Sequence, residues 1–457
     1  MKKLILAGTF AATLAVPIPA AAQSAQERLE ARYDRALAAG YKALFLCSAL
    51  ATSSGARTPE SVHEWELSGI QRPLDAIIRD LPYEIVRRSR RSISHVTVEW
   101  APDMPPRIAI AADNGGGCSI LPIGTPGDPR DPDREIIPSI VGEAMFRQRE
   151  NADWATGLAA FDGTTYGEGS RTTAVLVTVN GELFHESYAE GFGPTTTQRT
   201  WSVAKSIAAT FVGAAVHKGE IDVTQSAGLG LSNEDPRRAI TIDHALRMAS
   251  GRYSDTLGNR TDPLYWGGAT VTERAQNWPL IHTPGSVYRY ANNDTLAAIQ
   301  AVQPAFGDDP AWRFLGRFGM YRSSYETDWQ GNYVMSSQVW ANARDLAKLG
   351  QLYLNDGVWR GNRILPKGWR DYVSTPSGPQ PQGTRWGYGA GWWTFRRPEG
   401  NAFEGIPDDA FAARGNRGQY VVVVPSRNVV IVRRGEDKVG TRFDIAAFAR
   451  DILAALE

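Results

Sequence analysis

Cysteine is scarce: Cys47 and Cys118 are the only two in 457 residues. They allow at most one bridge, and no His-bearing motif stands beside either to make it a nucleophilic thiol. Net charge is lacking as well, because 49 basic residues balance 49 acidic ones. With no general field to draw in phosphates or an anionic surface, composition argues against a nucleic-acid partner. The six histidines show no metal-ligand spacing, and nothing in the chain calls for a metal or a cofactor. The Gly-x-Ser-x-Gly elbow, the His-Glu-x-x-His helix and the phosphate loop are all missing. There is no fixed-period repeat and no low-complexity tract.

What is present is an ordinary globular composition, 42% hydrophobic and 21% charged, in a chain long enough for two or three domains. The N-terminus runs Lys2-Lys3, an apolar stretch from Leu4 to Val16, Pro17, Pro19, and Ala20-Ala21-Ala22 before Gln23. That order predicts a secretory signal over 1–22. The prolines interrupt the run of about 20 apolar residues that a membrane anchor needs, so no integral membrane segment is expected after cleavage. Export predicts a periplasmic or secreted protein with Cys47 and Cys118 bridged.

Ala25 to Leu50 reads as a helix, and His95 to Trp100 and Arg107 to Ala112 as strands. The segment Thr125-Pro126-Gly127-Asp128-Pro129-Arg130-Asp131-Pro132 cannot hold a helix or a central strand, which marks a linker. The expected division is therefore a small α+β extension over 23–135 and a second domain over 136–457. In the latter, Thr172 to Val179 and Glu182 to Tyr188 flank Asn180-Gly181, the strongest short hairpin signal. Gln419 to Val424 and Asn428 to Arg433 read as further strands of that sheet, and Phe443 to Leu456 as a closing helix. The stretch between reads as mostly helix and loop, with an amphipathic helix over Arg344 to Leu354.

Ser202-Val203-Ala204-Lys205 opens a segment that is apolar on every face up to Val216. Residues three apart share a helix face, so Lys205 stands one turn above Ser202. A lysine taken out of water has a lowered pKa and can accept the hydroxyl proton of a serine nucleophile. Arg outnumbers Lys about fivefold in this chain, and Arg could not give up its proton. The same four residues also fit a plain helix start with a capping Ser and a snorkelling Lys, so the motif alone does not decide. Tyr290-x-Asn292 lies in a Pro-Gly loop, where a phenol can relay protons and an amide can hold Lys205. Tyr353-x-Asn355, a second copy, sits at the end of an amphipathic helix and reads as core plus cap. Arg414-Gly415-Asn416 leads into the Val-rich strand; Gly415 on a strand edge would let a substrate approach closely, or simply serve a hairpin turn.

In that order these motifs resemble the serine β-lactamase and penicillin-recognising family, in its class C and esterase-like branch. The runs Trp201-Ser202-Val203-Ala204-Lys205-Ser206, Ile240 to Gly251, Ala343 to Ala347, Asp356 to Trp359 and Ile364-Leu365-Pro366 are most similar to its 6-aminohexanoate-oligomer hydrolases. The resemblance covers about 165 to 457. It implies an α+β fold, an antiparallel sheet packed by terminal helices with an inserted helical region, and a site at their junction. It also implies that Ser202 is acylated, that Lys205 and Tyr290 share the proton transfers, that Asn292 positions them, and that the amides of Ser202 and Asn416 form the oxyanion hole. The family's Lys-Thr-Gly is replaced by Ala413-Arg414-Gly415, which leaves Arg414 as the candidate cation for a substrate carboxylate. Tyr265, Trp266, Trp392 and Trp393 are candidates to line the cleft. The leading expectation is an exported hydrolase of a small amide or ester. The alternatives are a β-lactamase or D-amino-acid peptidase, and a penicillin-binding sensor without turnover. Neither oligomeric state nor the purpose of the extension is legible.

Overall fold

The computed structural model describes residues 20–53, 55, 57–89, 92–112, 116–127, 154–254, 261–307 and 311–457. The export segment expected over 1–22 lies, up to residue 19, outside the described residues, as does the linker from 128 onward.

Helix α1 (Ala20–Thr52) is built from good helix formers, and from Ala36 to Leu50 it is buried on every face. It packs on one side against a four-stranded antiparallel sheet, β1 (Tyr83–Ser89), β2 (Ser92–Val98), β3 (Arg107–Ala111) and β4 (Cys118–Ile120), in that order. On the other side it meets Trp201, Leu264, Tyr265, Trp266 and Trp340, all in one apolar cluster. Gly40 permits the closest approach, since a Cβ there would stand 2.0 Å from the carbonyl oxygen of Trp266. Cys47 on α1 is bridged to Cys118 at the start of β4, closing a separation of 71 residues. Loop closure of that length contributes about 4 kcal/mol in the chain-entropy account. Two of the four strands were not legible from sequence: β1, whose seven residues include no buried position, and β4, only three residues long.

The central sheet has seven strands: β5 (Thr172–Val179), β6 (Glu182–Tyr188), β7 (Gly387–Tyr388), β8 (Trp393–Thr394), β9 (Phe411–Gly415), β10 (Gln419–Val424) and β11 (Val429–Gly435). Their order is β7-β8-β9-β10-β11-β5-β6, with each neighbouring pair antiparallel. The β5–β6 hairpin turns at Asn180 and Gly181 with φ of 51° and 80°. Alternation along β10 sends Val421 and Val423 into one core and Val422 and Val424 into the other. The first core is filled by α2 (Val203–His217), α3 (Asn292–Val302) and α4 (Ala343–Leu354), the second by α5 (Ile445–Ala455). This is the expected α+β architecture. The region read as helix and loop also carries short strands: β7 and β8 of the central sheet, two two-stranded ladders, Val358–Trp359 with Asn362–Arg363 and Arg396–Arg397 with Gly400–Asn401, and a small sheet in which Gln198–Arg199 and Ser324–Tyr325 both pair with Val339–Ala341. Strands of two or three residues leave no detectable alternation.

Candidate active site

Trp201 enters α2 with φ of 51°, a left-handed conformation that costs a bulky residue about 1–3 kcal/mol. The surroundings hold it there: the Arg199 guanidinium lies 4.1 Å from the centre of its ring, and Phe45 of α1 packs alongside. The turn leaves Ser202 at the N-cap with φ −70° and ψ −3°, and its hydroxyl makes no capping hydrogen bond. Lys205 does not snorkel either; it is 1% exposed. The plain helix-start reading of this motif therefore fails on both of its residues.

Lys205 Nζ lies 2.6 Å from Asn292 Oδ1, 2.7 Å from the Ser336 carbonyl oxygen and 3.2 Å from Ser202 Oγ. The first two partners can only accept, so they take two N–H bonds. A neutral amine has two protons and one lone pair, and the remaining direction is that of the Ser202 hydroxyl. Burial pushes the Lys205 pKa well below the ordinary lysine value, and the positive charge of Arg199 pushes it further the same way. Asn292 opens α3 and is itself fixed, its Nδ2 donating to Thr261 Oγ1 at 2.7 Å.

Tyr290 precedes α3, with its ring 5.0 Å from Lys205 Nζ. Burial raises its pKa to about 12, opposed by a hydrogen bond with Ser202 and by the charge of Arg414. The phenol is thus protonated at neutral pH. Its ring packs against Tyr388 and Trp393, at 6.0 and 5.4 Å between centroids. The Arg414 guanidinium lies 4.1 Å from the Trp386 ring centre and 5.0 Å from that of Trp393.

A cavity of about 560 Å³ opens over Ser202. Tyr265, Trp266, Tyr290, Asn292, Trp393, Arg414, Gly415 and Asn416 all line it. Trp392 does not. It precedes β8 and is fully buried in the first core, 4.7 Å from Tyr353 and 5.0 Å from Phe411 between ring centroids, while Trp393, the first residue of β8, takes the cleft side. Tyr353 of the second Tyr-x-Asn motif is likewise a core residue, its hydroxyl 3.0 Å from Thr210 Oγ1. Sequence reasoning missed Gln71, Trp201, Asp262, Ser337, Tyr420 and Val439 in the cavity wall. Gln71 comes from the extension and donates from Nε2 to both Asp262 carboxylate oxygens at 3.3 Å. It carried no signal, since a lone Gln belongs to no motif. Among the described residues no cluster of His, Cys, Asp and Glu could hold a metal ion.

The Beta-lactamase family model matches residues 159–455. A curated relative, the 6-aminohexanoate-dimer hydrolase of Paenarthrobacter ureafaciens, is 25% identical over 307 residues, covering 57% of this chain and 72% of its own. Among solved structures, a Bacillus anthracis protein assigned as a 6-aminohexanoate-dimer hydrolase superposes with a TM-score of 0.52 at 21% identity, over 63% of this chain and 79% of its own. A Bacteroides dorei DSM 17855 protein assigned as a beta-lactamase does so with a TM-score of 0.53 at 17% identity, over 65% of this chain and 96% of its own. The two structural likenesses speak for the fold, and the family model spans the central sheet together with the Ser202, Tyr290 and Arg414 segments: the chain belongs to the Beta-lactamase family of serine hydrolases.

Proposed function

We propose that this protein is an exported hydrolase that cleaves a small linear amide or ester through an acyl-enzyme on Ser202. The observation that carries the reading is the buried Lys205 amine, with its two shorter bonds spent on acceptors and Ser202 Oγ in the third direction. In the acylation step the Ser202 proton passes to Lys205 Nζ as Oγ bonds to the substrate carbonyl carbon. The amides of Ser202 and Asn416 take the oxyanion. As the tetrahedral intermediate collapses, the C–N or C–O bond breaks, the Tyr290 phenol gives its proton to the leaving group and is reprotonated from Lys205 Nζ, which leaves the amine neutral again. Water then repeats the sequence on the acyl group. Asn292 holds Lys205, and no cofactor or metal enters any step.

The aromatic wall formed by Tyr265, Trp266 and Trp393 suits an apolar linear chain, in keeping with the similarity to a 6-aminohexanoate-dimer hydrolase. Arg414, on the same wall, suits a substrate carboxylate, and it is the one feature that favours β-lactams or D-amino-acid peptides as a second reading. Export to the periplasm or beyond is supported by the order of residues over 1–22 and by the Cys47–Cys118 bridge. No helix among the described residues is long and apolar enough to cross a membrane.

The test is incubation of the purified protein with p-nitrophenyl esters, linear aminohexanoate amides and a chromogenic cephalosporin, with mass spectrometry of the trapped acyl-enzyme. Acylation of Ser202, lost in Ser202→Ala, is the expected result. Turnover that survives Ser202→Ala would overturn the reading.

A further inference from the structure

The turn that follows β9 carries Asn416 into the cleft and then reaches Arg417, whose φ of 56° is left-handed. Strain of this kind persists only where neighbouring structure over-determines it. Here the hydrolase domain holds the backbone carbonyl and the extension holds the side chain. Arg417 is buried, and its Nη2 donates to the Trp65 carbonyl at 2.7 Å and the Ser68 carbonyl at 3.0 Å, while Nη1 reaches the Glu66 carbonyl at 3.5 Å. Within the hydrolase domain the guanidinium meets the Glu436 carbonyl at 3.2 Å and pairs through Nε with the Glu436 carboxylate at 2.8 Å, while the Arg417 carbonyl accepts from the Asp437 amide at 3.2 Å and from Gln419 Nε2 at 3.3 Å.

The extension loop is in turn fixed to the hydrolase domain at other points. The Arg171 guanidinium lies 4.2 Å from the Trp65 ring centre and donates to Ser68 Oγ at 3.2 Å. The Val439 amide donates to the Gly69 carbonyl at 2.8 Å, and the same loop ends at Gln71 in the cleft wall. A planar guanidinium with five donors, held by three carbonyls of this loop, is restricted in where it can sit.

We propose that Arg417 is a positioning residue for the reaction: the Trp65–Gln71 loop grips its guanidinium and thereby sets where the adjacent Asn416 amide points. The extension is then a working part of the active site. This rests on the acyl-enzyme reading of Ser202 and Asn416 above. An oxyanion donor acts only when it is aimed at the developing charge, so a small displacement lowers kcat and spares ground-state binding.

The experiment uses the full chain carrying Arg417→Ala, Arg417→Lys or Trp65→Ala, the last removing the loop's anchor while keeping Arg417. Ester kinetics, inhibition by an aryl boronic acid and fluorophosphonate labelling of Ser202 are measured beside circular dichroism. We expect Arg417→Ala to lower kcat by at least about 10-fold with KM within about threefold. Boronate affinity should fall in parallel, Arg417→Lys should recover part of the loss, and Trp65→Ala should act in the same direction. A folded Arg417→Ala with wild-type kcat, or a kcat loss with unchanged boronate affinity, overturns the proposal. If Arg417→Ala does not fold, an unaltered kcat in Trp65→Ala overturns it and a reduced one supports it. Wild-type protein that is never labelled at Ser202 would remove the acyl-enzyme reading and this proposal together. Labelling at equal rates in wild type and folded Arg417→Ala would remove this proposal alone.

Discussion

A Cβ built on Gly415 would stand 3.2 Å from the amide nitrogen of Ser202 and 2.4 Å from the carbonyl oxygen of Thr200. The end of β9 therefore passes against the start of α2 with no room for a methyl group. Since the φ of Gly415, −130°, is open to any residue, the glycine is required by contact and not by conformation. Gly415→Ala must push the strand away from Ser202, at a cost of about 1–3 kcal/mol in stability. We expect ester hydrolysis to fall at least about 10-fold in protein that still unfolds cooperatively; unchanged kcat would place the strand edge outside the reaction.

Lys205→Arg keeps a positive charge but cannot act as a base. Acylation measured by stopped flow should drop at least about 10²-fold. The pH profile follows from the same group. Burial and Arg199 lower its folded pKa, and the active form is the neutral amine, so activity is present above that lowered value and lost as pH falls through it. The acid limb of kcat/KM should accordingly lie well below the ordinary lysine pKa. A limb near 10 would mean that Lys205 is not the titrating base.

Trp392 and Trp393 are adjacent but face opposite sides of the sheet. Trp392→Ala opens a cavity in the first core and should cost about 3–5 kcal/mol by chemical denaturation. Trp393→Ala touches the cleft wall and should raise KM with a smaller loss of stability. Equal effects of the two on KM would contradict their opposite placement.

Selectivity is the fourth test. A β-lactamase must hold the carboxylate of the antibiotic, and Arg414, the cation proposed for that role, is engaged with Trp386 and Trp393. Short esters need only the activated Ser202 and the oxyanion amides. Their kcat/KM should exceed that for a cephalosporin by at least about 10²-fold, or about 3 kcal/mol in transition-state binding. Cephalosporin turnover at the ester rate would make the second reading the better one.

What could be read from the chain alone was local. The three-residue spacing of Ser202 and Lys205 places them one above the other on any helix, and Asn180-Gly181 flanked by β-branched runs turns a hairpin in any fold. Tyr290 and Asn292 following them in the chain carried the resemblance to the family that the match over 159–455 then showed. Local rules could not say that Asn292 Oδ1 lies 2.6 Å from Lys205 Nζ, a contact across 87 positions. Nor could they tell which of Trp392 and Trp393 faces the cleft, since a two-residue strand has no period of its own. The extension is the extreme case. Gln71 in the cavity wall and the carbonyls of Trp65 and Ser68 on Arg417 belong to no motif, being backbone atoms and a lone amide. Their place beside Asn416 is set by the burial of α1 against Trp201, Trp266 and Trp340, and such packing is a property of the assembled core and of no segment within it.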